Sequence, residues 1–396
     1  MQKIIHYSFI LISLSACNPT DISVIENKFL DTNELVNTIE KEAFKSQLTS
    51  VFGNNTSQIA LFVQSGIEQY RVVYDTKDVY GNSIKASGAV MIPTDIKKNL
   101  AMGSLHHGTL FNEQDAPSYL KFESETTLAT FLASTGIIVG MPDYVGYGES
   151  KNTAHPYEHY KGLGEPNADF IRAMVELVKE KNLEWNGVLM LAGYSEGGYA
   201  AMATLKWIDE KLANELAVKV SVLGAGAYNK TASFKKLVNE KGSTEINNNR
   251  SYIWVLQTYN EIYGLNKPMS YFFKEPYATE VTNKGKLAEI TISLNEAISD
   301  EFRSDINKGS YAALKAAIAD NDIYDWKPKS KIRLFHGTSD EYVPLINSSD
   351  AFSAMKAKGV DIEFSPIEGG THGTSINEYF FGVLLQFTNN KGVSVQ

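Results

Sequence analysis

The chain has 396 residues, 43% hydrophobic and 21% charged, which excludes a disordered polypeptide and is enough for a sizeable core. A net charge of -9 with no basic stripe excludes a nucleic-acid binder, and the acidity reads as a solubility device. The single cysteine, Cys17, excludes an internal disulfide.

Lys3 precedes an apolar run from Ile4 to Leu14, interrupted by His6, Tyr7, Ser8 and Ser13, which ends Leu14-Ser15-Ala16-Cys17. The run is shorter than the ~20 residues that cross a bilayer, and it has the form of a secretory h-region. Small residues before the cut admit a signal peptidase, and the residue after it would be a thiol able to carry lipid. The stretch resembles a bacterial lipobox, so residues 1–17 are expected to be a signal peptide, Cys17 a lipid anchor and residues 18–30 a tether. An acyl anchor holds a protein on a membrane without crossing it. The expected product is an exported bacterial lipoprotein, periplasmic or at the cell surface. A plain signal peptide with an incidental cysteine, and hence a secreted protein, is the alternative.

From Asp31 to Val51 the residues Leu35, Val36, Ile39, Phe44 and Leu48 fall near one face of a helix that Asp31 could cap. Two extended runs, Gln69–Tyr74 and Ile84–Ile92, flank Tyr80-Gly81-Asn82 and predict a hairpin that Pro93 ends. Strand and helix patterns then alternate. Strands are predicted at Leu100–Leu105, Ile137–Met141, Val188–Ala192, Val218–Leu223, Ile332–Phe335 and Asp361–Ile367. Helices are predicted at Thr126–Ser134, Ala168–Lys181, Gly198–Leu212, Ser349–Lys358 and Ile376–Thr388. Short apolar strands alternating with amphipathic helices predict an α/β fold: a mostly parallel central sheet with helices on both faces. Ligands of such sheets bind at the carboxyl ends of the strands. Residues 31–228 and 331–396 are expected to form this core. From Asn229 to Ser330 the pattern is mainly helical and too long for a connection within a compact domain, so residues 229–330 are expected to be a helical cap inserted over the sheet edge.

Gly193-Tyr194-Ser195-Glu196-Gly197 fits G-x-S-x-G between a predicted strand and a predicted helix, the context the motif requires. Such a turn is crowded, and glycines relieve the crowding. A serine hydroxyl is a weak nucleophile at neutral pH and needs a base, which in turn needs an orienting group. After Ser195 the histidines are His336 and His372. His372 lies in the glycine-flanked loop Glu368-Gly369-Gly370-Thr371-His372-Gly373 after the last strand. Asp340, at the end of the preceding strand in His336-Gly337-Thr338-Ser339-Asp340, is favoured by position as the acid over Glu341, Asp350 and Asp322.

The oxyanion of a tetrahedral intermediate needs N–H donors. The backbone of Glu196 should supply one. The loop His107-Gly108-Thr109 should supply the other, from Thr109, whose hydroxyl could assist. His106 and His107 are adjacent and cannot easily converge on one ion, so no metal site is expected, and His107 reads as a loop-shaping or substrate-contacting group. His155 and His159 are four apart, but Pro156 breaks a helix there and the motif is not H-E-x-x-H, so both read as structural. Asp143 in Pro142-Asp143-Tyr144-Val145-Gly146-Tyr147-Gly148 is expected to hold loops together. Tyr144 and Tyr147 are candidates for the entrance, with Tyr194 as a further substrate contact.

The order of an HG loop, PDYVGYGES, GYSEGG, HGTSDEYVP and GGTH resembles the α/β-hydrolase superfamily, and within it the chain is similar to the secretory lipase and esterase families, over roughly Tyr70 to Thr388. The resemblance implies hydrolysis of carboxylic esters of small molecules without a cofactor, with Ser195, Asp340 and His372 as the triad. Where lipases of this kind often have a small or amide residue after the serine, this chain has Glu196, whose carboxylate disfavours a purely apolar site and long-chain triglycerides. Two other readings stay open. A peptidase of the prolyl oligopeptidase kind shares the triad order but normally carries a large preceding domain, whereas about 70 residues precede this core. A surface lipoprotein that only binds a ligand would normally lack a triad member.

Overall fold

The computed structural model describes residues 29–52, 60–121 and 124–392. The signal peptide, Cys17 and residues 18–28 of the expected tether lie outside them. Thirteen α-helices and nine strands are laid down in the described residues. The first third holds β1 (Leu30–Ile39), α1 (Lys41–Phe52), β2 (Ile67–Lys77), β3 (Ser83–Pro93), β4 (Leu100–His106), α2 (Ser124–Ser134) and β5 (Ile137–Pro142). Then follow α3 (Tyr160–Glu180), β6 (Trp185–Tyr194), α4 (Glu196–Lys211) and β7 (Val218–Gly224). The segment between β7 and the next strand is helical: α5 (Lys230–Asn239), α6 (Ile246–Ile262), α7 (Met269–Phe272), α8 (Tyr277–Lys284), α9 (Leu294–Ala297), α10 (Asp300–Lys308) and α11 (Ala312–Ala319). The chain closes with β8 (Lys331–Gly337), α12 (Ile346–Ala357), β9 (Ile362–Ile367) and α13 (Ile376–Asn390).

The strands form one sheet in the order β1-β2-β3-β5-β4-β6-β7-β8-β9. From β5 to β9 every neighbouring pair is parallel, while β1, β2 and β3 join as an antiparallel meander at one edge. Alternate residues of the buried strands feed two cores. Leu189 and Leu191 of β6 pack with α3 and α4 on one face, and Met190 and Ala192 pack with α2 and α13 on the other. This is the mostly parallel, doubly covered sheet that the alternation of short apolar strands predicts. The register places His106 opposite Gly193, Tyr194 opposite Gly224 and Gly337 opposite Ile367. The loops after β4, β6, β7, β8 and β9 therefore leave from one edge.

The hairpin turn is held by the Asp78 carboxylate, whose Oδ1 accepts the N–H groups of Tyr80 and Asn82 at 2.9 Å, and Gly81 supplies the positive φ of 85° that the turn needs. Three expectations are corrected. The helix predicted over Asp31–Val51 is a strand to Ile39 and a helix only from Lys41. Leu35 and Val36 are exposed there, and only Leu30 and Ile39 of the strand are buried. An edge strand in solvent on both faces has no alternating apolar pattern to read, so its pairing with β2 left little trace in the sequence. The tether also ends before residue 30, because the Phe29 and Leu30 N–H groups donate to the Glu176 carboxylate and Leu30 opens β1. The helix predicted from Ala168 begins at Tyr160 instead. His159 caps it, accepting the Gly162 N–H on Nδ1 at 3.0 Å, and Pro166 is tolerated inside.

Candidate active site

Ser195 stands between β6 and α4 with φ 59° and ψ −124°, outside the regions a residue with a Cβ normally occupies. Its N–H donates to the Gly224 carbonyl at 2.9 Å and its carbonyl accepts the Tyr199 N–H at 3.1 Å. Neighbouring backbones press on this turn. A Cβ on Gly193 would run into the Gly197 carbonyl, and one on Gly197 would run into the His106 carbonyl and lie 2.7 Å from that of His107. Backbone on both sides cannot yield, so Gly197→Ala is expected to lower unfolding free energy by about 3 kcal/mol or more, at the upper end of overpacking costs. Urea denaturation followed by circular dichroism would measure it.

His372 Nε2 lies 2.9 Å from Ser195 Oγ, and its Nδ1 lies 2.7 Å from Asp340 Oδ2. A carboxylate can only accept, so Nδ1 carries the hydrogen and Nε2 is free to accept the serine proton. Asp340 is fixed on its other oxygen, where Oδ1 accepts the N–H groups of Tyr342 and Val343, both at 2.9 Å. His336, which the sequence offered only as a rival base, is fully buried beside it. Its Nε2 donates to the Val343 carbonyl at 2.8 Å and sits 3.3 Å from Asp340 Oδ2, while Nδ1 accepts from Ser348 Oγ. Burial alone would push the Asp340 carboxyl up. The hydrogen bonds from His336 and His372 outweigh it and hold Asp340 at about 2.

The Glu196 N–H opens α4, where first-turn donors lack helical partners. The loop after β4 runs past the serine: a Cβ on Gly108 would lie 4.0 Å from that of Ser195. The Gly108 N–H is taken by the Glu125 carboxylate, and the Thr109 hydroxyl bonds that of Tyr157 at 2.7 Å. The Glu196 side chain does not face the pocket. It is fully buried, with Oε1 2.7 Å from His155 Nε2. His155 Nδ1 donates to the Val145 carbonyl at 2.7 Å, so the short contact on Nε2 must hold a proton shared with Glu196. The carboxylate that counted against an apolar site is thus buried, with Oε1 on His155 and Oε2 without a hydrogen-bond partner among the described residues. His155 is structural, as a brace of the elbow. Pro156 concealed it, because it removed the helix that would have made the spacing meaningful.

The remaining candidates are placed as follows. His107 is buried, its Nδ1 2.8 Å from the Gly108 carbonyl and its Nε2 3.1 Å from that of Asp143, and it shapes the loop. Burial pushes its pKa down, against the charge of Glu196. Tyr144 and Tyr147 are buried rather than at an entrance. Tyr144 stacks on His107 with ring centroids 3.9 Å apart and donates to its carbonyl, and Tyr147 donates to the Leu110 carbonyl. Both rings fill the space beneath the β4 loop because their hydroxyls meet its carbonyls. Tyr194 donates to the His372 carbonyl at 2.7 Å and so holds the base loop. Asp143 ties loops, accepting from the Ser118 N–H and the Ser87 hydroxyl. His106, pushed down to about 3 by burial, lies under the sheet edge, 3.3 Å from Ser104 Oγ.

Helix α6 reaches this site. Tyr252 donates to the Tyr342 carbonyl at 2.7 Å, and the Ser251 hydroxyl bonds that of Tyr342. Tyr342 itself lies edge-on to the His372 ring at 4.7 Å. This arrangement of hydroxyl, imidazole and carboxylate can carry acyl transfer.

The profile of the secretory lipase family matches residues 116–377, more than half of the chain and the stretch that carries all three of these groups. The chain belongs to the secretory lipase family. Family membership places it among ester hydrolases. No curated protein sequence matches it. Among solved structures the chain is similar to a Legionella pneumophila protein assigned as a hydrolase, at 18% identity and a TM-score of 0.80 over 93% of this chain and 100% of that one. It is similar to the ligand-bound rice cell wall degrading esterase LipA of Xanthomonas oryzae, at 21% identity and a TM-score of 0.77 over 91% and 98%. Candida antarctica lipase A in its closed state follows at 17% and 0.65, over 96% and 85%. These likenesses show a shared α/β-hydrolase fold.

Proposed function

We propose that this secretory lipase family member is a serine esterase that cleaves carboxylic esters through an acyl-enzyme. The observation that carries the reading is the unbroken line from Ser195 Oγ through His372 to Asp340, with contacts of 2.9 and 2.7 Å. His372 takes the serine proton as Oγ attacks the ester carbonyl, and Asp340 stabilises the imidazolium. The N–H groups of Glu196 and Thr109 receive the oxyanion, each such donor being worth ~3 kcal/mol in the barrier. The alcohol leaves with the proton from His372. Water, activated by the same imidazole, then returns the serine and releases the acid. The imidazole must be neutral to take the serine proton. Residues 229–330 serve as a cap, because α6 lines the space above the serine.

Among the described residues no helix is long and apolar enough to cross a membrane. The family is one of secretory proteins, and the run ending at Cys17 supports export with a lipid anchor.

The test is hydrolysis of p-nitrophenyl esters by the chain lacking residues 1–17, paired with labelling by a fluorophosphonate. Turnover with one phosphonate per chain on Ser195 is expected. A chain that neither turns over any ester nor takes the label is not a serine esterase.

A further inference from the structure

The pocket that opens on Ser195 is very small. It holds about 20 Å³ between Tyr157, Glu158, Ser251, Tyr252, Val255 and Tyr342, close to the room one water molecule needs. Space is not scarce nearby. A cavity of about 500 Å³ lies between the hairpin tip and α6, walled by Tyr80, Trp254 and Lys286. Tyr157, a wall of the small pocket, stacks on Trp254, a wall of the large one, with ring centroids 4.5 Å apart and planes 8° apart.

The walls at the serine are also the wrong chemistry for a long alkyl chain. Glu158 is ion-paired with Lys230 of α5, and both side chains are almost wholly buried. Lys230 Nζ sits 4.5 Å over the Tyr199 ring. Glu158 is held with φ 49°, and its carbonyl accepts the Tyr259 hydroxyl at 2.9 Å. The same walls carry the bonded hydroxyls of Ser251 and Tyr342 and that of Tyr157, which bonds Thr109. Apolar atoms come from Ala227, Val255 and Val343, enough for a methyl group. Each methylene that meets an apolar wall raises binding about fourfold. A methylene pressed against a buried ion pair gains nothing of the kind.

Resting on the esterase reading above, we infer that this is an acyl pocket for acetyl-sized groups, that the substrates are acetyl esters of larger alcohols, and that the Glu158–Lys230 pair is the barrier to longer acyl chains.

The test compares kcat/KM for p-nitrophenyl acetate, butyrate and octanoate, with octanoate measured both below and above its micelle-forming concentration. The wild type is expected to favour acetate over octanoate by at least 100-fold. The apolar double variant Glu158→Leu/Lys230→Met is expected to narrow that ratio at least tenfold. If the double variant fails to fold, Glu158→Gln should narrow it at least threefold. A wild type that hydrolyses octanoate as well as acetate, in either regime, overturns the inference and leaves the esterase reading standing. An unchanged ratio in a folded double variant overturns the role of the ion pair. Absence of turnover on every ester overturns both readings together.

Discussion

Ser195→Ala is expected to lower kcat on p-nitrophenyl esters by about 10⁶-fold while leaving the fold and its stability almost unchanged. The argument is local. Ser195 Oγ bonds His372 Nε2, and the His372 side chain is 19% exposed, so water can take the place of the lost hydroxyl. The strained backbone at φ 59° is equally unfavourable for serine and alanine, since both carry a Cβ. No new strain arises, and the thermal midpoint should move little. The rate that survives belongs to the oxyanion donors and to substrate binding. Steady-state kinetics together with a thermal melt test this. A variant that retains more than a thousandth of the activity would show that the nucleophile lies elsewhere.

Asp340→Asn is expected to cost about 10⁴-fold in kcat, because it reverses the imidazole. The N–H groups of Tyr342 and Val343 both point at Oδ1, so the new side chain must keep its oxygen there. Its NH₂ then replaces Oδ2 and donates to His372 Nδ1, which moves the ring hydrogen to Nε2 and leaves nothing to accept the serine proton. The same NH₂ faces the N–H of His336 Nε2 at close range, a donor opposed to a donor. Stability should fall as well. A carboxyl held at about 2 when folded and near 3.9 when unfolded contributes on the order of 2–3 kcal/mol. The folded pKa is the lower one, so this contribution is complete above pH ~4 and is lost as the pH falls through about 2. Denaturant melts at pH 7 and pH 3 would show the wild type and the variant converging in acid.

Much of this was legible in the sequence because the chemistry sits in contiguous motifs. The glycines around Ser195 mark the elbow, and the histidine and aspartate follow strands whose ends share one edge. What escaped were contacts made across the fold. His155 meets Glu196 from forty-one residues away, and Glu158 meets Lys230 from seventy-two. Neither has a periodic or spacing signal, because the partners come from a loop and a helix that the sheet topology alone brings together. The edge strand β1 was misread for a related reason: its structure comes from pairing with β2, and its own composition of Asp, Thr, Asn and Glu suggests no buried face.

The bonds from Ser251 and Tyr252 to Tyr342 tie α6 to the turn that presents the acid. Tyr342 gives its N–H to Asp340 and its carbonyl to α6. If α6 withdraws to admit a bulky alcohol, it gives up those bonds and loosens the turn that presents the acid. If it returns, the turn tightens around the carboxylate again. Entry and bond cleavage would then take turns rather than overlap, so that an open site is an idle one and both acylation and deacylation belong to the closed one.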